Sequence, residues 1–177
     1  DEAGKPLTHW GAKGSGDGEL DTPSGIAFDS KDHCYVSDTF NNRVQKFTAD
    51  GRFLSVLGAQ ALNLPWGVTA DSHDNVYVAD WGNDRIQKFS PEGQHLAEFG
   101  ASGDSDGQFR RPSSVAVDRD GYIYVADWGN ERVQVLGPQG EFVTKLRGEA
   151  TLSKWAENFL NINMEEAAAR ATANLEM

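Results

Sequence analysis

The hexapeptide Val-Ala-Asp-Trp-Gly-Asn occurs at 78–83 and again at 125–130, and a degenerate copy, Val36-Ser37-Asp38-Thr39-Phe40-Asn41, precedes both. In each copy an apolar run leads into an aspartate, a tight polar turn follows, and an arginine (Arg43, Arg85, Arg132) opens the next apolar run. Recurrence at a long fixed period means one small structural unit copied along the chain. Such a unit cannot bury its own apolar face, so neighbouring copies must stack on one another to make a core.

Each unit reads as four short strands. In the first these are Gly25–Asp29, Cys34–Asp38, Arg43–Phe47 and Phe53–Leu57; the second covers Gly67–Asp71, Val76–Asp80, Arg85–Phe89 and His95–Phe99. The third covers Ser114–Asp118, Ile123–Asp127, Arg132–Leu136 and Phe142–Leu146. All are about five residues long, rich in β-branched and aromatic side chains, and bounded by Gly, Asp or Asn. The units open at Pro23, Pro65 and Pro112, spacings of 42 and 47 residues. The extra five lie wholly in the loop that connects units, so the register inside a unit never slips. Four strands at a period of about 40–45 residues predict propeller blades.

The letters narrow this further. Tyr-Val-(Ala/Ser)-Asp-x-x-Asn-x-Arg-(Ile/Val)-Gln occurs from Tyr35, Tyr77 and Tyr124, after a first strand led by proline, and Trp10-Gly11 and Phe99-Gly100 show a closing aromatic–glycine pair. This pattern resembles the NHL repeat, over residues 1 to about 147. The resemblance implies an all-β propeller, most often a closed ring of six blades with each first strand lining a central channel. The expected domain layout is a blade region over 1–148, with repeats at about 23–58, 65–100 and 112–147, and residues 1–11 as the last strand of a preceding blade. Three blades plus one orphan outer strand make only a partial ring, so further blades, or an excerpt from a longer protein, are expected.

The tail breaks the pattern. Leu152, Trp155, Phe159 and Leu160 recur at helical spacing, and Asn163-Met164-Glu165-Glu166 reads as a helix start. Residues 149–177 are expected to form a short helical segment or an insertion between blades.

Candidate chemistry divides into what repeats and what does not. Asp38/Asn41/Arg43, Asp80/Asn83/Arg85 and Asp127/Asn130/Arg132 recur at identical spacing. Catalysis needs one asymmetric site, so a triad present in every blade reads as structural: Asp and Asn satisfy turn N–H groups and Arg pairs with the carboxylate. The loop between second and third strands emerges on the same face as the inter-blade connection. That puts Phe40, Trp66, Trp81, Arg110, Arg111 and Trp128 on one candidate binding face, of the residue types that anchor interfaces. The four histidines lack metal-ligand spacing, and no nucleophile–base or nucleotide motif is visible. No catalytic, cofactor-binding or metal residue is therefore expected, and no cofactor.

The net charge of −11 bears on partners. Residues 149–177 hold two basic and five acidic side chains, leaving the blade region at −8. Neither part offers a basic face for a phosphate backbone, so nucleic acid is not the expected partner. No apolar run approaches the ~20 residues of a membrane span. Cys34 occupies the repeat position of Val76 and Ile123 and reads as a small buried hydrophobe. The expected function is a non-catalytic scaffold presenting blade loops to a protein or other ligand. The alternative is part of a lactonase- or amidating-lyase-like propeller whose channel metal comes from other blades. The resemblance also tilts the expected compartment toward outside the cytoplasm.

Overall fold

The computed structural model describes residues 9–147. The expected helical tail and most of the expected orphan strand lie outside the described residues. A two-residue parallel pair, β1 (Ala12–Lys13) with β2 (Glu19–Leu20), folds the first loop back on itself. Three four-stranded antiparallel meanders follow. The first joins β3 (Pro23–Phe28), β4 (Cys34–Asp38), β5 (Arg43–Phe47) and β6 (Phe53–Leu57). The second joins β7 (Pro65–Ala70), β8 (Val76–Asp80), β9 (Arg85–Phe89) and β10 (His95–Phe99). The third joins β11 (Pro112–Val117), β12 (Ile123–Asp127), β13 (Arg132–Leu136) and β14 (Phe142–Arg147).

Alternation along each strand gives every sheet two apolar faces, one for each neighbour. Tyr35, Val44 and Leu57 of the first sheet pack against Val68, Val76, Val78 and Phe89 of the second. From the second sheet's other face, Tyr77, Ile86 and Phe99 meet Val115, Ile123, Val125 and Leu136 of the third, with Phe109 from the connecting loop. Each such side chain, fully buried, contributes about 1.5–3 kcal/mol, so the stacking of sheets is where the stability resides. The innermost strands β3, β7 and β11 lie side by side, and small residues allow this. A Cβ on Gly25 would stand 2.3 Å from the Trp66 carbonyl oxygen, and one on Gly67 2.6 Å from the Ser114 Cα.

At the two ends of this three-sheet row the same positions are uncovered. Ile26 is 60% exposed where its repeat mates Val68 and Val115 are buried, and Tyr124 is 38% exposed where Tyr35 and Tyr77 are buried. Trp10 caps part of the first end, with its ring 4.8 Å from that of Phe47. Cys34 is buried behind Phe47, as a hydrophobe in its position should be, and burial raises its thiol pKa.

A candidate binding face at the blade corners

In every blade the second strand ends in an aspartate and one turn of 3₁₀ helix: Thr39–Asn41, Trp81–Asn83 and Trp128–Asn130. The next residue, Asn42, Asp84 or Glu131, takes a left-handed φ of 53–56°, which reverses the chain into the third strand. The aspartates Asp38, Asp80 and Asp127 are fully buried and accept from four directions. For Asp127 the donors are the Arg110 backbone N–H at 2.7 Å, Asn130 Nδ2 at 2.9 Å, Arg132 Nε at 2.7 Å and Gln134 Nε2 at 3.2 Å. Asp80 takes the same four from Asn63, Asn83, Arg85 and Gln87, and Asp38 from Asp21, Asn41, Arg43 and Gln45. A buried carboxylate with this many donors has its hydrogen-bonding capacity satisfied.

The remaining donors of Arg and Gln reach outward to the loop that enters the same blade. Arg43 bonds the Gly16 and Glu19 carbonyls, and Gln45 bonds Glu19. Arg132 bonds Asp104, Ser105 and Gln108, and Gln134 bonds Gln108. In the second blade the shorter loop meets both side chains with one carbonyl, Ala61, at 3.0 Å from each. One clip therefore serves loops of different length, because its partners are backbone carbonyls rather than particular side chains. The glutamines belong to this clip as fully as the triads. Their signal was their fixed place two residues after each arginine, with burial of a polar side chain as the unread consequence. The clip pins each entry loop to its own corner, which is more than a tie between second and third strands.

Corners also reach the next blade. Asn42 Oδ1 accepts from the Leu64 N–H at 2.8 Å, and Asp84 Oδ1 from the Arg111 N–H at 2.6 Å. Corner and entry loop thus form one continuous hydrogen-bonded rim at one end of the sheets.

On that rim the non-repeating residues sit as follows. Trp66 and Trp81 stack with ring centroids 5.8 Å apart and planes 16° from parallel, and the Arg111 guanidinium lies 4.9 Å from the Trp81 ring. Trp81 is the middle layer, half-buried, and its Nε1 has no hydrogen-bond partner among the described residues. Trp66 and Arg111 are exposed on either side. Trp128, the repeat mate of Trp81, is 59% exposed, because Ser113 stands where Trp66 stands one blade earlier. Phe40 is 61% exposed. Arg110 is exposed beside the third corner, where its carbonyl accepts from the Gly129 N–H at 2.8 Å. The structure thus brings Trp66, Trp81 and Arg111 into contact, and among the described residues Phe40 and Trp128 do not join that stack.

At the opposite end of the sheets lie the first turns. Asp29 accepts from the Lys31 and His33 N–H groups, the His33 ring at 2.9 Å and the Tyr35 hydroxyl at 3.1 Å. Burial works to raise its pKa, but these donors outweigh it and hold the group down to about 2. His33 is therefore half-buried against this carboxylate. Asp71 and Asp118 close the same turns through His73 and Asn75, and through Asp120 and Tyr122. Among the described residues no three His, Cys, Asp or Glu side chains come together as a metal site.

Comparison with known proteins agrees with this geometry. Residues 20–47, 62–89 and 109–136 each match the NHL repeat, and each match runs from an entry loop to the end of a third strand. Protein lin-41 of Caenorhabditis elegans is 50% identical over 50 residues, 28% of this chain and 4% of its own length. A catalytically inactive virginiamycin B lyase from Staphylococcus aureus, solved with quinupristin, superimposes with a TM-score of 0.61 at 18% identity. The overlap covers 79% of this chain and 44% of that one. Hydrazine synthase of Kuenenia stuttgartiensis gives 0.61 at 17% identity over 73% of this chain and 37% of its own. At such identities the two structures share the fold and nothing finer, and this chain spans less than half of each.

Proposed function

The chain belongs to the NHL-repeat β-propeller family, and from that premise we propose that it is a non-catalytic binding module whose corner rim engages a protein partner. The observation that carries this reading is the contrast within one motif. The aspartates and glutamines repeated in all three corners are buried and spent on the clip, whereas Phe40, Trp66, Arg111 and Trp128, none of them common to all three copies, are exposed on the rim. A hydrogen-bonded rim lowers the ordering cost of binding, and aromatic and arginine side chains supply the anchors. The Arg111 guanidinium is preorganised on Trp81 and offers its edge to a carboxylate. Further blades continuing the ring from the uncovered end faces are a second kind of partner that this reading accommodates.

The test is site-specific photocrosslinking in the cells of origin. A benzophenone side chain replaces Phe40 or Trp128 on the rim, and Lys31 or Asp120 at the other end as controls. One protein adduct common to both rim positions and missing from both controls is the expected result. Adducts confined to the controls, or an adduct to nucleic acid, would contradict the proposal. The lyase fold likeness carries no activity to this chain.

A further inference from the structure

The junctions between successive blades are closed differently at the end away from the rim. Between the first and second blades, the Asp74 carboxylate accepts from both the Ser30 backbone N–H and the Ser30 hydroxyl, each at 2.8 Å. Nearby, Lys46 Nζ reaches the Pro91 carbonyl at 3.3 Å. Between the second and third blades the same positions are held by Ser72, Gly121, Lys88 and Pro138. Serine and lysine are retained. The carboxylate is gone, and a cavity of about 270 Å³ lies there, lined by Ser72, Lys88, Arg119, Gly121 and Pro138 among others.

The groups left around it lack the carboxylate that the first junction provides, and the Ser72 hydroxyl lies 3.4 Å from His73 Nδ1 instead. Ser72 is the counterpart of Ser30. Lys88 makes one long ionic contact, 3.7 Å to Asp71, and lies 4.9 Å from the Tyr77 ring centroid. Arg119 replaces a serine and adds a cation. The acids that share the wall are committed elsewhere: Asp71 and Asp118 accept from the N–H groups of their own turns, and Asp118 also from the Tyr124 hydroxyl. The lining thus carries three carboxylates, Asp71, Asp118 and Asp120, beside the two cations Lys88 and Arg119.

We propose that this cavity is a binding site for a small carboxylate-bearing molecule, whose carboxylate takes the place the Asp74 side chain occupies one junction earlier. It accepts from the Ser72 N–H and hydroxyl, with Lys88 and Arg119 as the cations of the lining. The first junction is a covalently tethered precedent for the same contact. There Asp74 sits close to another acid, Asp29, and its pKa is nevertheless lowered, chiefly by the two Ser30 bonds. The volume suits a molecule of a handful of heavy atoms rather than a peptide segment. The site is independent of the corner rim and stands or falls without it.

The test is an NMR titration of the ¹⁵N-labelled chain with sodium acetate against sodium chloride at equal ionic strength. The expected result is a saturable shift of the Ser72 amide with acetate alone, while the Ser30 amide, already bonded to Asp74, stays still. Gly121→Asp restores the tethered carboxylate and should weaken acetate binding about tenfold or more. Asp32 and Asp74 hold that position at φ of 61° and 64°, so the backbone accepts aspartate. If that variant does not fold, Ser72→Ala should weaken binding several-fold by removing one donor. A Ser72 response that is linear, equal with chloride, or unchanged in both variants would overturn the proposal. So would a short aspartate-containing peptide that binds more tightly than acetate, which would assign the carboxylate to a macromolecule.

Discussion

Asp127 shows most plainly what one residue does here. It is fully buried with a fully buried arginine at 2.7 Å, and two amides and a backbone N–H share its remaining lone pairs. Removing the carboxylate strands a guanidinium and three N–H donors in the interior. Asp127→Ala should therefore cost about 3–5 kcal/mol in equilibrium denaturation. Gln134→Ala, which leaves Arg132 paired, should cost about 1–2 kcal/mol. Asp29 makes a prediction in pH. Its folded pKa of about 2 lies below the ordinary 3.8, so its contribution is complete above about pH 4 and is lost as pH falls toward 2. Unfolding free energies of Asp29→Asn and the parent should differ by on the order of 1 kcal/mol at neutral pH, after allowance for solvent screening, and draw together as pH falls through about 2. The aspartate, asparagine and arginine of the clip were legible in sequence because they repeat. The glutamines repeat too, but glutamine is a common exposed strand residue, and only its burial at 0–1% exposure reveals its role.

At the scale of the element, the corner is a strand end, a single 3₁₀ turn and a left-handed residue, clipped to a loop. The second and third strands were readable to the residue, since alternation, β-branching and turn residues agree with one another. Each first strand, by contrast, starts two residues earlier than expected, at its proline, and ends before its aspartate. What could not be read was which of two identical tryptophans would be covered. Trp81 and Trp128 sit in the same hexapeptide, and the difference comes from residues fifteen positions earlier, where Trp66 stacks and Ser113 cannot. Contact across a sheet end leaves no local signal. The stack predicts that Trp66→Ala exposes Trp81 and shifts its fluorescence emission to longer wavelength, whereas Trp66→Phe preserves it. Arg111→Ala should leave the denaturation midpoint within about 0.5 kcal/mol, as an exposed side chain outside the clip.

At the scale of the whole molecule, three blades stack in a row with a core between each pair. The three-blade arc was legible because the period and the motif agree; the cavity beside Gly121 was not. It arises from the loss of one side chain at a junction between blades, and sequence spacing carries no information about which turn faces which. The rim and the far-end cavity also lie at opposite ends of the sheets, so substitutions at one should leave the other unchanged. The central claim is that repeated corner residues hold the fold while the varying exposed ones bind. The most direct measurement is the affinity of Phe40→Ala/Trp128→Ala protein for the partner identified by crosslinking, read beside its denaturation midpoint. An affinity lower by about tenfold or more with an unchanged midpoint is the predicted result. Parental affinity, or a loss that follows a collapse of the midpoint, would contradict it.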